Sequence, residues 1–108
     1  LRKARTIAYG NRAPLDRLLS GAERLVLSAI GDGSDDLAAS DCLGLSIHTV
    51  HTHRRNIMRK LGLRTRADLI RESTIRGVVR FGPGGVIRPG FERMRRKLAR
   101  RASLIGDR

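Results

Sequence analysis

The sequence contains few aromatic residues and no long apolar segment. Its aromatic side chains are Tyr9, Phe81 and Phe91, so the core must be built from Leu, Ile, Val and Ala, which suits short helices in close contact. With 108 residues the chain has room for one small domain. No apolar segment approaches the roughly 18 residues of a transmembrane helix, and no signal peptide is recognisable. We therefore expect a soluble, cytoplasmic protein.

Cysteine is scarce too, and the sequence has no recognisable catalytic or metal-binding pattern. Cys42 is the single cysteine, so no intrachain disulfide can form, and its position in an apolar stretch predicts a small buried side chain. The three histidines lie within residues 48–53, in a predicted helix without any carboxylate, which does not match a zinc motif. The glycines of residues 82–90 are not followed by the Lys-Ser/Thr pair of a phosphate-binding loop. We therefore expect no enzyme activity, no cofactor and no metal.

Acidic residues are few relative to basic ones. The chain has 23 Lys and Arg against 10 Asp and Glu, which gives a formal net charge of +13. All the basic residues except Lys3, Lys60 and Lys97 are Arg, whose planar guanidinium fits phosphate and guanine. A charge surplus of this size repels itself in the folded state and favours a polyanionic partner. Nucleic acid is the predicted partner, and a basic surface that serves only solubility is the alternative.

The spacing of apolar residues predicts an all-α fold, with four short helices between residues 19 and 79. Ser20 and Glu23 have the spacing of a capping box at the start of the first helix. Polar caps and terminal glycines delimit the four helices, at residues 21–30, from Ser34–Asp36 to Leu43, at 47–61 and at 66–79. A turn of only a few residues separates the second helix from the third, which is the layout of a helix-turn-helix.

Two basic segments flank this predicted domain. Residues 1–18 are expected to form an arm or linker, and residues 80–108 a Gly/Pro-rich loop and a basic helix. The loop, residues 80–90, is either an open linker or the tip of a hairpin. The helix carries an apolar stripe of Phe91, Met94, Leu98 and Ile105. This stripe could pack on the domain or on its copy in a dimer, the arginines could hold DNA phosphates, or the helix could lie on an anionic membrane.

The predicted third helix, residues 47–61, has two chemically different faces. At about 100° per residue, three apolar side chains share a stripe that should face the core: Val50, Ile57 and Leu61. Polar side chains share the opposite stripe, with His51 on its flank: His48, Thr52, Arg55 and Arg59. Because an α-helix fits the major groove, side chains on such an outer stripe reach the edges of bases. We predict base recognition rather than an ordinary solvated face.

The side chains of this stripe suit particular contacts. Arg55 could form two hydrogen bonds with guanine, and Thr52 could touch a thymine methyl group. His51 could donate to a base or to a phosphate. Lys60 lies towards one side of the helix, where we expect phosphate contact. His53 projects near the buried stripe, so a packed, structural histidine is favoured over a phosphate contact.

Residues 19–79 also carry a recognisable family pattern. Its elements in the third helix are Ser46, Thr49, Val50, His53, Asn56, Ile57, Lys60 and Leu61. This pattern resembles the DNA-binding domain of LuxR-type (LuxR/FixJ/NarL) transcription regulators. The resemblance implies a four-helix domain whose third helix enters the major groove. It implies that Thr49 contacts phosphate at the start of this helix, and that His51, Thr52 and Arg55 face the groove.

The resemblance further implies a homodimer formed through the fourth helix, residues 66–79, on a two-fold DNA site. The chain departs from the family pattern at three places. His51 stands where the family usually has Lys, and Ala38-Ala39-Ser40 stands where it usually has Glu-Ile-Ala. The lost Ile removes core volume, which Leu37 could partly fill after a small rotation. Residues 80–108 have no counterpart in the family's minimal domain.

These observations together predict sequence-specific binding of double-stranded DNA by a bacterial transcription regulator. Two other functions stay open. A non-specific nucleic-acid binder, such as a nucleoid or RNA-binding protein, would use charge alone and would bind random sequences as tightly as any site. A partner-binding module would dock its basic tail on an acidic protein, and would lose that association when the tail is deleted.

Overall fold

Helices dominate the part of the chain that the structure describes. The computed structural model covers residues 13–105, with side chains up to Arg100, so the predicted arm lies largely outside it. The elements in chain order are α1 (Leu15–Leu18), α2 (Gly21–Ile30), α3 (Asp36–Leu43), α4 (Ile47–Leu61), α5 (Arg66–Ile75), β1 (Arg80–Gly82), β2 (Gly85–Ile87) and α6 (Phe91–Ile105). The predicted all-α class and the bounds of the predicted third helix, α4, are confirmed. Within the described range, no helix has both the length and the apolarity to cross a bilayer.

Polar side chains cap the starts of α2, α3, α4 and α5, and left-handed glycines end α3 and α4. The Ser20 hydroxyl accepts a hydrogen bond from the Glu23 N–H (3.1 Å), and the Glu23 carboxylate accepts one from the Ser20 N–H (2.9 Å). The predicted capping box at the start of α2 is therefore confirmed. Gly44 and Gly62 end α3 and α4 at φ angles of 69° and 71°, a left-handed conformation that glycine adopts without strain. The turn after Gly44 leads directly into α4 and completes the helix-turn-helix.

The fourth helix of the predicted domain is shorter than the expected range 66–79. It ends at Ile75, and Gly77 follows in the left-handed conformation with φ 72°. The Val79 N–H donates to the Ser73 carbonyl (3.4 Å), and the Val79 side chain is fully buried. The chain therefore turns back to the core after Ile75, and the prediction of a helix as far as Val79 is wrong.

The core lies mainly between α2 and α4. Val50, Ile57 and Leu61 of α4 are fully buried, which confirms the predicted inner stripe of this helix. They join Leu27 and Ile30 of α2 in one apolar cluster. Because the inner stripe of α4 is held against α2, its opposite side chains must point into solvent.

The short helix α3 departs from two predictions. Its buried stripe runs through Ala39 and the partly buried Leu43. Leu37 is 58% exposed, because it lies two residues before Ala39 and so points to the other side of the helix. Leu37 therefore does not fill the lost core volume, even in part, as the sequence had suggested it could. Cys42 lies beside the buried stripe and is exposed, so the prediction of a buried cysteine is also wrong.

The C-terminal segment forms a hairpin followed by a helix that packs on the domain. β1 and β2 pair in antiparallel register, so the hairpin is the correct alternative for the Gly/Pro-rich loop. α6 lies against α2. Phe91 of α6 is buried, and Met94 and Leu98 pack partly buried against the core. Packing of the apolar stripe on its own domain is confirmed for these three residues, and the Ile105 side chain lies outside the described residues.

Candidate nucleic-acid interface

The outer stripe of α4 is exposed, as its spacing predicts. Its members are His48, Thr52, Arg55 and Arg59. Thr52, Arg55 and Arg59, together with Asn56, line one open surface recess. The Arg59 guanidinium lies 3.4 Å from the Asn56 amide oxygen, and neither Arg55 nor Arg59 has an acidic partner within residues 13–100. Their charges are therefore available to an external anion.

Thr49 lies in the first turn of α4, next to the N-cap residue Ser46. The Ser46 hydroxyl accepts a hydrogen bond from the Thr49 N–H (3.0 Å) and lies 2.9 Å from the Thr49 hydroxyl. These contacts hold the Thr49 hydroxyl at the positive end of the helix dipole, where negative charge is stabilised. The position suits the phosphate contact that the family resemblance implies.

His51 is held by a cluster that links the two helices of the helix-turn-helix. The Arg54 guanidinium donates to both carboxylate oxygens of Asp36 at 2.9–3.2 Å. Arg54 Nη2 also lies 2.9 Å from His51 Nδ1, and Asp36 Oδ2 lies 3.2 Å from the same nitrogen. Burial acts to raise the pKa of Asp36, but the hydrogen bonds from the Arg54 guanidinium outweigh it and keep the pKa below its usual value.

The distances within this cluster favour one tautomer of His51. Arg54 Nη2 lies closer to Nδ1 (2.9 Å) than Asp36 Oδ2 does (3.2 Å), and a guanidinium can only donate. We therefore assign Nδ1 of the neutral ring as the acceptor from Arg54, with the proton on Nε2. About half of the His51 side chain is exposed, so Nε2–H can serve as a donor to an external acceptor. Sequence reasoning missed the contact between Asp36 and Arg54, because a contact across 18 positions leaves no periodic signal.

The Lys60 ammonium has an acidic partner that the sequence did not predict. Its ammonium lies 2.7 Å from the carboxylate of Glu23, which is almost fully buried. Burial acts to raise the pKa of Glu23, but hydrogen bonds from Lys60 and from the Ser20 N–H outweigh it and lower the pKa. Lys60 therefore neutralises a buried charge that also belongs to the capping box of α2.

Lys60→Met should lower the free energy of unfolding by about 1–3 kcal/mol near neutral pH, because the buried Glu23 carboxylate loses its charged partner. The folded-state pKa of Glu23 is lowered. The pair therefore contributes fully above the ordinary carboxyl range, and its contribution disappears as the pH falls through the lowered pKa. Urea unfolding at neutral pH and near the acid limit of folding measures both effects. Lys97→Met removes the same charge from an exposed position of α6, and an equal loss in that control would contradict the role of the pair.

His53 lies at the edge of the core, as its position near the inner stripe of α4 predicts. It is half-buried, and its Nδ1 is buried without a hydrogen-bond partner within the described residues. It borders an apolar cleft between α2, the helix-turn-helix turn and α6, together with Leu25, Leu45 and Leu98. Within residues 13–100, no three His, Cys, Asp or Glu side chains come together to hold a metal ion.

The region of the chain that matches known proteins includes the helix-turn-helix and its helix α4. Residues 17–73, more than half of the chain, match the family described as bacterial regulatory proteins, luxR family. The chain is 38% identical over 61 residues to the transcriptional regulatory protein MctR of Rhizobium johnstonii, covering 56% of this chain and 28% of that protein. It is 37% identical over 68 residues to the uncharacterized response regulatory protein YgeK of Escherichia coli, covering 63% and 46%. The match thus spans less than half of either relative, and no solved structure matches the chain.

Proposed function

The chain belongs to the luxR family of bacterial regulatory proteins, a family of helix-turn-helix DNA-binding regulators, and we propose that it recognises a specific sequence in double-stranded DNA. The single observation that carries this proposal is the exposed stripe of α4. The stripe lies opposite a fully buried stripe of the same helix, and it presents donors of the kind that read bases. The curated relatives named as transcriptional and response regulatory proteins support a role in the control of transcription.

In this proposal α4 enters the major groove and divides the contacts between bases and backbone. Arg55 has a free guanidinium that can bond guanine O6 and N7 together, and Thr52 beside it suits a thymine methyl group. His51 presents Nε2–H to an acceptor on a base edge, held in that orientation by Arg54, which the Asp36 carboxylate positions. These contacts would supply the choice of sequence.

The backbone contacts come from the ends and sides of the same helix. Thr49 meets a phosphate at the start of α4, and His48 and Arg59 lie on the outer stripe within reach of the neighbouring strands. An ammonium has three donors, so Lys60 can bond a phosphate and keep its contact with Glu23 at the same time. Its charge is then shared between the two anions. Such contacts set affinity and its salt dependence without selecting a sequence.

We further propose that the module binds as a homodimer through α5. Ile75, at the end of α5, is 62% exposed, and a second copy of the same helix would cover it. Two copies related by a two-fold axis would read two half-sites in opposite orientation. The mechanism is binding without chemistry, and it needs no cofactor.

Selection of bound sequences from a random duplex pool, at about physiological salt, tests the proposal. We expect enrichment of a short motif, with two-fold symmetry if α5 mediates a dimer. The same pool is bound in parallel by Arg55→Ala, which should lose the preference at one base pair of each half-site. Tight binding without enrichment would overturn sequence recognition and favour the non-specific nucleic-acid binder.

A further inference from the structure

The helix α6 is an addition to the family-matched region, which ends at residue 73, and its outer face is strongly basic. The basic side chains on this face are Arg93, Arg96, Lys97 and Arg100, all exposed. We propose that this face is a second DNA-binding surface, which contacts the phosphate backbone beside the site that α4 reads. The inference rests on the proposed DNA binding of α4 and extends the footprint of the protein beyond it.

The first support is that α6 is fixed to the domain. Its apolar stripe packs on α2, and Arg88, just before the helix, anchors its start. The Arg88 guanidinium lies 2.8 Å from the Asp32 carboxylate and also donates to the Ser28 carbonyl. Because the side chain of Arg88 is mostly buried in this contact, α6 keeps one orientation relative to α4. A fixed basic surface can hold phosphates without the entropy cost of ordering a free tail.

The second support is the arrangement of charge along α6. Arg93 and Lys97 are four residues apart, as are Arg96 and Arg100, so like charges face each other on successive turns. Each such pair destabilises a helix by about 0.2–0.5 kcal/mol. Within the described side chains, none of these four residues has an acidic partner. A row of phosphates would relieve this repulsion, since each phosphate carries the opposite charge.

The third support is the position of α6 beside the helix-turn-helix. Leu98 and Ala99 of α6 border the same cleft as Leu45 in the turn and His53 of α4. Leu45 immediately precedes Ser46, the N-cap of α4. The basic helix therefore lies beside the end of α4 at which a backbone contact is proposed, so a duplex bound there could extend past α6.

The packing of α6 also argues against a membrane as the partner of this face. A basic amphipathic helix binds a bilayer by burying its apolar side in the lipid interface. In this structure Phe91 is buried and Met94 and Leu98 pack against the core. The side that would enter the lipid is therefore occupied, and the basic side alone remains for a partner.

The test compares two double variants of equal charge. Arg96→Gln/Arg100→Gln removes two charges from the outer face of α6, and Arg17→Gln/Arg80→Gln removes two exposed charges outside this face. Binding constants are measured between 50 and 200 mM salt, on a duplex trimmed to the selected site and on one extended by about one helical turn at each end. Each lost phosphate contact should reduce the salt slope by about 0.9. On the extended duplex, the affinity of the unmodified protein should therefore fall by a factor about ten times larger than that of the α6 variant between the two salt concentrations.

The outcomes separate this inference from the proposed function. An unchanged salt slope in the α6 variant would overturn the second surface, and so would an equal change in the control. A reduced salt slope on the trimmed duplex alone would also overturn the second surface, because the contact would then not lie beside the site. Retention of the selected motif by the α6 variant is expected, and it leaves sequence recognition to α4. If the unmodified protein selects no motif, the proposed function fails, but the salt slopes still test α6 on a duplex of any sequence. Circular dichroism and thermal unfolding verify that both variants fold.

Discussion

Val50→Asp is expected to abolish folding of the domain. Val50 is fully buried in the inner stripe of α4, and a carboxylate there would have neither water nor a basic partner. Burial of an unpaired charge costs several kcal/mol or more, which is comparable to the whole stability of a small domain. Far-ultraviolet circular dichroism and a thermal melt of the purified variant measure the loss. We expect no cooperative transition at any temperature.

Thr52→Asp provides the matched control for Val50→Asp. It places the same carboxylate two residues further along α4, on the exposed stripe. This variant should fold normally and lose DNA binding, because its charge would face bases and phosphates. A folded Val50→Asp that merely fails to bind DNA would mean that the two faces of α4 have been assigned the wrong way round.

Arg55→Ala is expected to remove base preference at one position of the DNA site. A guanidinium that bonds guanine in two places contributes about 1–3 kcal/mol of discrimination, which corresponds to roughly 5–150-fold between bases. Competition of single-base-pair variants of the selected duplex measures this ratio. Because Arg55 is exposed and has no acidic partner in the described chain, the variant should keep its stability.

Arg96→Ala is the matched control for Arg55→Ala, since it truncates the same residue type on an exposed helical face. It should leave the ratios between bases unchanged whether or not α6 touches the backbone. Equal losses of discrimination in both variants would show that Arg55 does not read a base. A uniform loss of affinity for all sequences in Arg55→Ala would assign it to phosphate instead.

Sequence periodicity predicted α4 well because its two faces differ in every turn. Val50, Ile57 and Leu61 are strictly apolar and their opposite stripe is polar, so the burial of one face and the exposure of the other both follow. The capping box of Ser20 was predictable for a related reason, since its partner Glu23 lies only three residues away. Local patterns of this kind can be read without knowing the tertiary structure.

Features that depend on distant contacts could not be predicted in this way. Cys42 lies in a stretch that is mostly apolar in sequence, yet it is placed beside the narrow buried stripe of α3 and is exposed. The end of α5 depends on how Val79 packs into the core, which overrides the helical pattern that continues past Ile75. The ion pair of Lys60 and Glu23 joins residues 37 positions apart, so the sequence indicated a free phosphate ligand at Lys60.

Under the proposed function, the contacts of His51 limit how the DNA preference of the domain can be redesigned. His51→Lys would place a second cation beside Arg54 and against the same Asp36 carboxylate. Two cations would then compete for one acid, and the side chain would be drawn towards α3 instead of the DNA. The side chain at position 51 thus cannot be changed independently of its two neighbours. A change of specificity there requires compatible residues at positions 36 and 54, so these three positions are best exchanged as one unit.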